Sequence, residues 1–86
     1  MPIVLIPPPY RGPTGGQERI EVAANTVRAC IEAVEAAHPG FLPQVFAADG
    51  EPHKFVKLFV NGDQSPPEAE VAEGDEVEVL AAIAGG

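Results

Sequence analysis

The residues whose types and spacing suggest chemistry lie at the carboxyl end, in the small-residue tail Ala82-Ile83-Ala84-Gly85-Gly86. A terminal carboxylate is a poor electrophile until an ATP-dependent partner converts it to an acyl adenylate with a good leaving group. Glycine allows close approach to the acyl carbon and accepts whatever backbone twist a narrow channel imposes. The residues after Leu80 span about 20 Å when extended, enough to enter the active site of another protein. We therefore expect Gly86 to be the adenylated residue, with the partner recognising Ile83, Ala84 and Gly85.

A sulfur donor could then displace the adenylate and leave a thiocarboxylate at Gly86. A thioacid is more acidic than an ordinary thiol, so this group would be ionised at neutral pH and ready to attack. On this hypothesis the chain is not an enzyme, and we expect no catalytic side chain, no metal site and no bound cofactor. The sulfur is a covalent load, and the activating partner uses the ATP.

Three groups of side chains that resemble catalytic or metal sites are assigned structural roles. Cys30 lies on the predicted buried face of a helix, where free cysteine behaves as a small apolar residue. His38 and His53 have no cysteine nearby and match no metal-ligand spacing. Glu76 and Glu78 alternate with valines and should face solvent from a strand.

The composition is that of one folded domain. The chain has 86 residues, of which 45% are hydrophobic and 21% are charged, and this argues against disorder. Its formal charge of -8 repels nucleic acid phosphates, and its longest early apolar run, Ile3 to Ile6, is too short to cross a membrane. One cysteine and the lack of a secretory signal favour the cytoplasm. We expect neither nucleic acid nor membrane as a partner.

Periodicity predicts the order strand, strand, helix, strand, strand. The first strand, Ile3 to Ile6, ends at three prolines, and the second, Glu18 to Val22, alternates polar and apolar residues. The glycine-rich segment between them is expected to be a flexible hairpin loop. A helix from Val27 to Ala37 follows, with Asn25 and Thr26 as competing N-caps and His38-Pro39-Gly40 as its stop.

The second half of the chain predicts two further strands. Residues 41–46 are ambiguous, whereas Phe55 to Val60 is a strand that runs into the hairpin turn Asn61-Gly62. The loop from Asp63 to Ala72 leaves open a short strand or a helical turn. In the last strand, Glu76 to Leu80, Val77 and Val79 should face inward.

Together these elements predict an α+β fold of the β-grasp type. One main helix packs on a mixed sheet of four to five strands, and the favoured right-handed crossover places the last strand centrally beside the first. Residues 1–80 would form the domain, and residues 81–86 a flexible, reactive Gly-Gly tail.

The third strand presents two faces, of which only one can cover the helix. Phe55, Lys57 and Phe59 share one face, and Val56, Leu58 and Val60 share the other. Phe59 therefore either contributes to an exposed docking patch near the tail or packs in the core. The chain has no basic residue after Lys57, so its last third is acidic. This acidic surface could steer the protein onto a basic partner, or it could be a solvated face that keeps the protein soluble.

Four motifs carry a family resemblance: Thr14-Gly15-Gly16-Gln17, His53-Lys54-Phe55-Val56, Gly74-Asp75-Glu76-Val77 and the tail itself. They are similar to motifs of the ThiS/MoaD/CysO superfamily of ubiquitin-like sulfur carriers, over essentially the whole chain. The first two motifs point to the CysO branch. One departure is Ala81, where many relatives have proline, so the tail would be less stiff.

The resemblance implies the partners. Gly86 would be activated by an E1-like adenylyltransferase/sulfurtransferase and used by a pyridoxal-phosphate-dependent cysteine synthase, with a zinc metalloprotease releasing the product. Three alternatives remain open: sulfur donation to a thiolated cofactor or secondary metabolite, as by a thiosugar synthase; the small subunit of molybdopterin synthase; and a ubiquitin-like protein modifier.

Overall fold

A computed structural model describes residues 1–81, which form a five-stranded mixed sheet with one main helix packed on it. The strands are β1 (Ile3–Leu5), β2 (Arg19–Glu21), β3 (Val56–Val60), β4 (Asp63–Gln64) and β5 (Glu76–Ala81), and the helices are α1 (Val27–Ala37) and α2 (Leu42–Val45). Their order across the sheet is β2-β1-β5-β3-β4. Strands β1 and β5 run parallel, and the other neighbouring pairs are antiparallel. The predicted β-grasp architecture, with the last strand beside the first, is confirmed.

Helix α1 has the bounds that its sequence predicts. Of the two candidate caps, Thr26 is the N-cap: its backbone is extended, and its hydroxyl accepts a hydrogen bond from the N–H of Ala29 at 3.0 Å. The apolar residues at helical spacing are buried in the core, namely Val27, Cys30, Ile31 and Val34.

The ambiguous segment 41–46 contains the four-residue helix α2. Its start is fastened to α1, because the carboxylate of Glu35 accepts hydrogen bonds from the backbone N–H groups of Gly40 at 3.1 Å and Leu42 at 2.8 Å. Phe41, which precedes α2, is fully buried. This short helix therefore depends on a carboxylate from the preceding helix.

The Asn-Gly turn after β3 forms as predicted and is tied to the start of β5. Asn61 and Gly62 have φ angles of 50° and 89°, in the left-handed region that these residue types tolerate. The Asn61 side chain donates to the Asp75 carboxylate at 3.0 Å and accepts from the N–H of Glu76 at 2.9 Å. Hydrogen bonds from the backbone of Ala72 and from Asn61 lower the pKa of Asp75.

Two features differ from the sequence expectation. Strand β5 continues through Ala81, one residue past its predicted end at Leu80, because Ala81 still pairs with Val56. The glycine-rich loop is also held together internally. Thr14 is 2% exposed, and its hydroxyl donates to the carbonyl oxygens of Gln17 at 2.9 Å and Arg11 at 3.2 Å.

Candidate functional site

The predicted reacting tail continues from the end of the central strand. Its four site residues, Ile83, Ala84, Gly85 and Gly86, lie outside the described residues, so the structure shows the base from which they extend. That base is anchored by the core, since Val77 and Val79 of β5 are 0% and 1% exposed. It is also anchored by hydrogen-bonded ladders with β1 and β3 on either side.

Strand β3 alone holds the last residues of β5 within the described part of the chain. The ladder with β1 ends where Leu5 pairs with Glu78, whereas the ladder with β3 continues to Ala81. Beyond Leu5, the N–H of Ile6 donates to the carbonyl of Glu18, and the next residue is Pro7, which has no N–H to offer. The position of the tail's base is therefore set by its pairing with the start of β3.

An apolar group lies beside this base on the sheet face opposite α1. Along β3, Val56 and Leu58 are buried, while Lys57 is exposed and Phe59 is half-buried on the other face, outside the core cluster. Phe59 lies directly across from Glu78 of β5, and Glu78 lies across from Leu5 of β1. Leu80, across from Lys57, is 41% exposed. We call Leu5, Phe59 and Leu80 the open-face patch.

The acidic last third of the chain is partly paired with earlier residues. Glu76 lies 3.1 Å from Arg19, Glu68 lies 3.1 Å from Arg28, and Glu73 lies 2.7 Å from the terminal amino group. A hydrogen bond and the charge of that amino group lower the pKa of Glu73. Because exposed ion pairs contribute only about 0–1 kcal/mol each, these contacts affect the charge pattern more than the stability.

Two of the side chains that were assigned structural roles, Cys30 and His53, contact the rest of the fold. Cys30 is 0% exposed, and its burial raises the pKa of the thiol, which disfavours the reactive thiolate. The Nε2 atom of His53 lies 2.7 Å from the carbonyl oxygen of Pro43. Across residues 1–81, no group of three or more His, Cys, Asp or Glu side chains could hold a metal ion. The helices of this range are all too short or too polar to span a membrane.

The fold and the base of the tail define a β-grasp domain whose central last strand leads directly into the carboxyl terminus. The chain belongs to the ThiS family, which it matches over residues 4–86. It is homologous to the sulfur carrier protein CysO, as the sequence motifs predicted: it is 33% identical to that of Mycobacterium tuberculosis, over 96% of each chain.

Solved structures give the same relationship. The Amycolatopsis orientalis BexX/CysO complex contains a chain that is 33% identical, with a TM-score of 0.91 and full coverage of both chains. SAMP1 from Haloferax volcanii is 25% identical, with a TM-score of 0.80 over 99% of this chain and 98% of that one. The predicted family and fold are confirmed. Sequence reasoning missed the Thr14 hydrogen bonds, which span three residues within the glycine-rich loop, and the contact of the Glu35 carboxylate with the N–H of Leu42, seven positions away.

Proposed function

We propose that this chain is a non-catalytic sulfur carrier, adenylated and then thiocarboxylated at Gly86, that donates sulfur to a biosynthetic enzyme in cysteine synthesis. The single observation that supports this most is the placement of β5. Strand β5 is central in the sheet and is anchored in the core by Val77 and Val79, and the tail follows it in the sequence. The domain can therefore present the carboxylate of Gly86 to a partner. Homology to the sulfur carrier CysO supports the choice of sulfur as the load.

The chemistry takes place in partner proteins. An E1-like adenylyltransferase lets the Gly86 carboxylate attack the α-phosphate of ATP, with pyrophosphate leaving and an acyl adenylate forming. A sulfur donor then attacks the acyl carbon, AMP leaves, and the thiocarboxylate remains. A pyridoxal-phosphate-dependent cysteine synthase would accept the sulfur, and a zinc metalloprotease would release the product. We place these steps in the cytoplasm, where ATP is supplied.

Intact-mass spectrometry tests this function. After incubation with an E1-like activating enzyme, ATP and a sulfide source, the chain should gain the mass that corresponds to replacing one oxygen by sulfur. The gain should require ATP, and treating the loaded chain with iodoacetamide should add one carbamidomethyl group to the thiocarboxylate sulfur, with iodide leaving. A chain that forms the adenylate but never gains sulfur would contradict the carrier function.

A second function with the same tail chemistry is protein modification, in which Gly86 forms an isopeptide bond with a lysine. The likeness to SAMP1, at a TM-score of 0.80, is the observation that keeps it in view. Branched Gly-Gly remnants on target lysines in a cellular digest would favour the modifier. The other possible acceptors are a thiosugar synthase and a molybdopterin synthase large subunit. Incubating the loaded chain with each enzyme distinguishes them, because only the true acceptor should remove the sulfur.

We further propose that the open-face patch docks the activating enzyme, with Phe59 as its aromatic contact. Replacing Phe59 by Ala should weaken binding about tenfold, because truncating an aromatic residue that anchors an interface costs more than about 1 kcal/mol of binding energy. Isothermal titration calorimetry against the activating enzyme measures the change.

Leu42→Ala is the matched control, since Leu42 is also partly buried but lies on the α2 side of the molecule. It should leave the affinity within about twofold of the unmodified chain, because it lies far from the open face. Unchanged affinity in Phe59→Ala, with correct folding, would remove Phe59 from the docking surface.

A further inference from the structure

The outer edge of β3 is hydrogen-bonded over only half its length. Residues 57, 59 and 61 turn their backbone groups toward β5, as the bond from Asn61 N–H to the Glu76 carbonyl shows. Residues 56, 58 and 60 turn theirs toward the outer edge, where β4 covers Val60 and the N–H of Ser65 donates to the carbonyl of Leu58 at 2.9 Å. Within residues 1–81, the N–H of Leu58 and the carbonyl of Val56 have no hydrogen-bond partner.

Two prolines keep this part of the edge unpaired. Continuing the β3–β4 register would place Pro67 opposite Val56, and proline has no N–H to donate to the Val56 carbonyl. The carbonyl of Pro67 instead accepts a hydrogen bond from the N–H of Arg28 at 2.8 Å, which draws the chain toward α1. The opening is therefore encoded by the sequence Ser65-Pro66-Pro67.

The departing chain leaves a groove of about 550 Å³ beside the unpaired groups, within the range of ordinary ligand sites. It is lined by Glu51, Pro52, residues 56–58 and residues 64–67. We call it the β3 edge groove. Its lining includes three prolines. Two of them, Pro66 and Pro67, have no N–H with which to continue the hydrogen-bond ladder along the edge of β3.

We propose that the β3 edge groove binds an extended segment of a partner protein, which displaces Ser65 from the Leu58 carbonyl and adds to the sheet as a further strand. The two unpaired groups flank Lys57. One residue of a parallel segment can donate to the Val56 carbonyl and accept from the Leu58 N–H, or two residues of an antiparallel segment can share these bonds. This is the main-chain recognition used when a peptide adds to a sheet edge.

The side chains around the groove define the kind of segment. The residue that lies opposite Lys57 points to the same face as Lys57, which is exposed and in no ion pair among the described residues. An Asp or Glu fits this place. Its two neighbours point to the other face, on which Val56 and Leu58 are buried, so apolar side chains fit there. The partner segment is therefore expected to have an acidic residue opposite Lys57 and an apolar residue on each side of it.

Pairing with a second copy of the chain is disfavoured by the same geometry. If two β3 edges met in antiparallel fashion through these groups, Lys57 would lie directly opposite the Lys57 of the other copy. Like charges facing each other across two strands are destabilising. The formal charge of -8 on each chain adds a general repulsion. A partner segment with an acidic centre avoids the first obstacle, because its Asp or Glu lies opposite the positive charge of Lys57.

The test uses the full chain labelled with ¹⁵N and the capped peptide acetyl-Ser-Val-Glu-Val-Ser-amide at millimolar concentration. Binding should shift the amide resonance of Leu58 and slow its hydrogen exchange at least tenfold. The amide of Lys57, which faces β5, is the internal control and should change little in exchange. Methylating the backbone nitrogen of the peptide's Glu removes the N–H that a parallel segment donates to the Val56 carbonyl, and methylating that of the following Val removes the N–H that an antiparallel segment donates. One of these two changes should weaken binding at least tenfold.

A charge exchange checks the side-chain assignment. The variant Lys57→Glu should bind the Glu peptide several-fold more weakly and should prefer the peptide in which Lys replaces that Glu. The proposal is overturned if the Leu58 amide is unaffected by the peptide, or if both methylated peptides bind as well as the unmethylated one. It is also overturned if Leu58 becomes protected in the chain alone as its concentration rises, because a second copy would then be the occupant.

Discussion

Deleting Gly86 should abolish sulfur loading while leaving the free energy of unfolding unchanged. The deletion moves the terminal carboxylate back by one residue, about 3.5 Å along an extended chain. Reacting atoms must approach within about 3–3.5 Å, and misplacement by about 1 Å can cost a hundredfold in rate. We therefore expect loading to fall at least about a hundredfold, measured as the fraction of chain that gains sulfur in an intact mass spectrum.

The stability half of this prediction follows from where the core lies. Among residues 1–81 the buried cluster is built from residues between Val4 and Val79, and we expect removal of Gly86 to take nothing from it. Thermal unfolding should superimpose for the two chains. The variant Ala82→Gly is the length-matched control, because it changes the tail but not the position of the carboxylate, and it should load normally. Normal loading of the shortened chain would place the reacting group elsewhere.

Replacing Phe41 by Ala should lower the free energy of unfolding by about 3–5 kcal/mol. Phe41 is 0% exposed and lies in the core cluster where α1, α2 and the sheet meet, so the change removes buried apolar contacts and leaves a cavity. A small domain has a total stability of about 5–15 kcal/mol, so the loss takes much of it. Urea denaturation followed by circular dichroism measures the shift.

Phe55→Ala is the matched control because it makes the same chemical change at a residue that is 43% exposed. Its ring lies 5.5 Å from the Lys54 ammonium, an exposed contact of about 0.5–1 kcal/mol, so its loss should cost about 1 kcal/mol or less. Equal losses in the two variants would mean that Phe41 does not pack in the core.

Elements with strong local signals could be predicted closely from the sequence. The bounds of α1 are the predicted ones, because both its cap and its stop lie within a few residues of its ends. The inward direction of Val77 and Val79 followed from alternation alone. The left-handed turn at Asn61 and Gly62 followed from residue type.

Elements that depend on distant contacts could not be predicted. Helix α2 starts where the Glu35 carboxylate reaches the N–H of Leu42, seven positions along the chain. Nothing in residues 41–46 shows that this bond will form. Phe59 is a second case. Alternation along β3 showed which residues share its face, but not which of the two faces packs against the helix.

The sequence by itself determined the family, the order of the elements and a small-residue carboxyl tail as the site of chemistry, because these reside in motifs and short-range periodicity. Only the tertiary structure decided that Phe59 lies on the open face and that the edge of β3 is left unpaired beside Pro67. Both depend on which strands become neighbours and in what register, and register is a property of the assembled sheet rather than of any one segment.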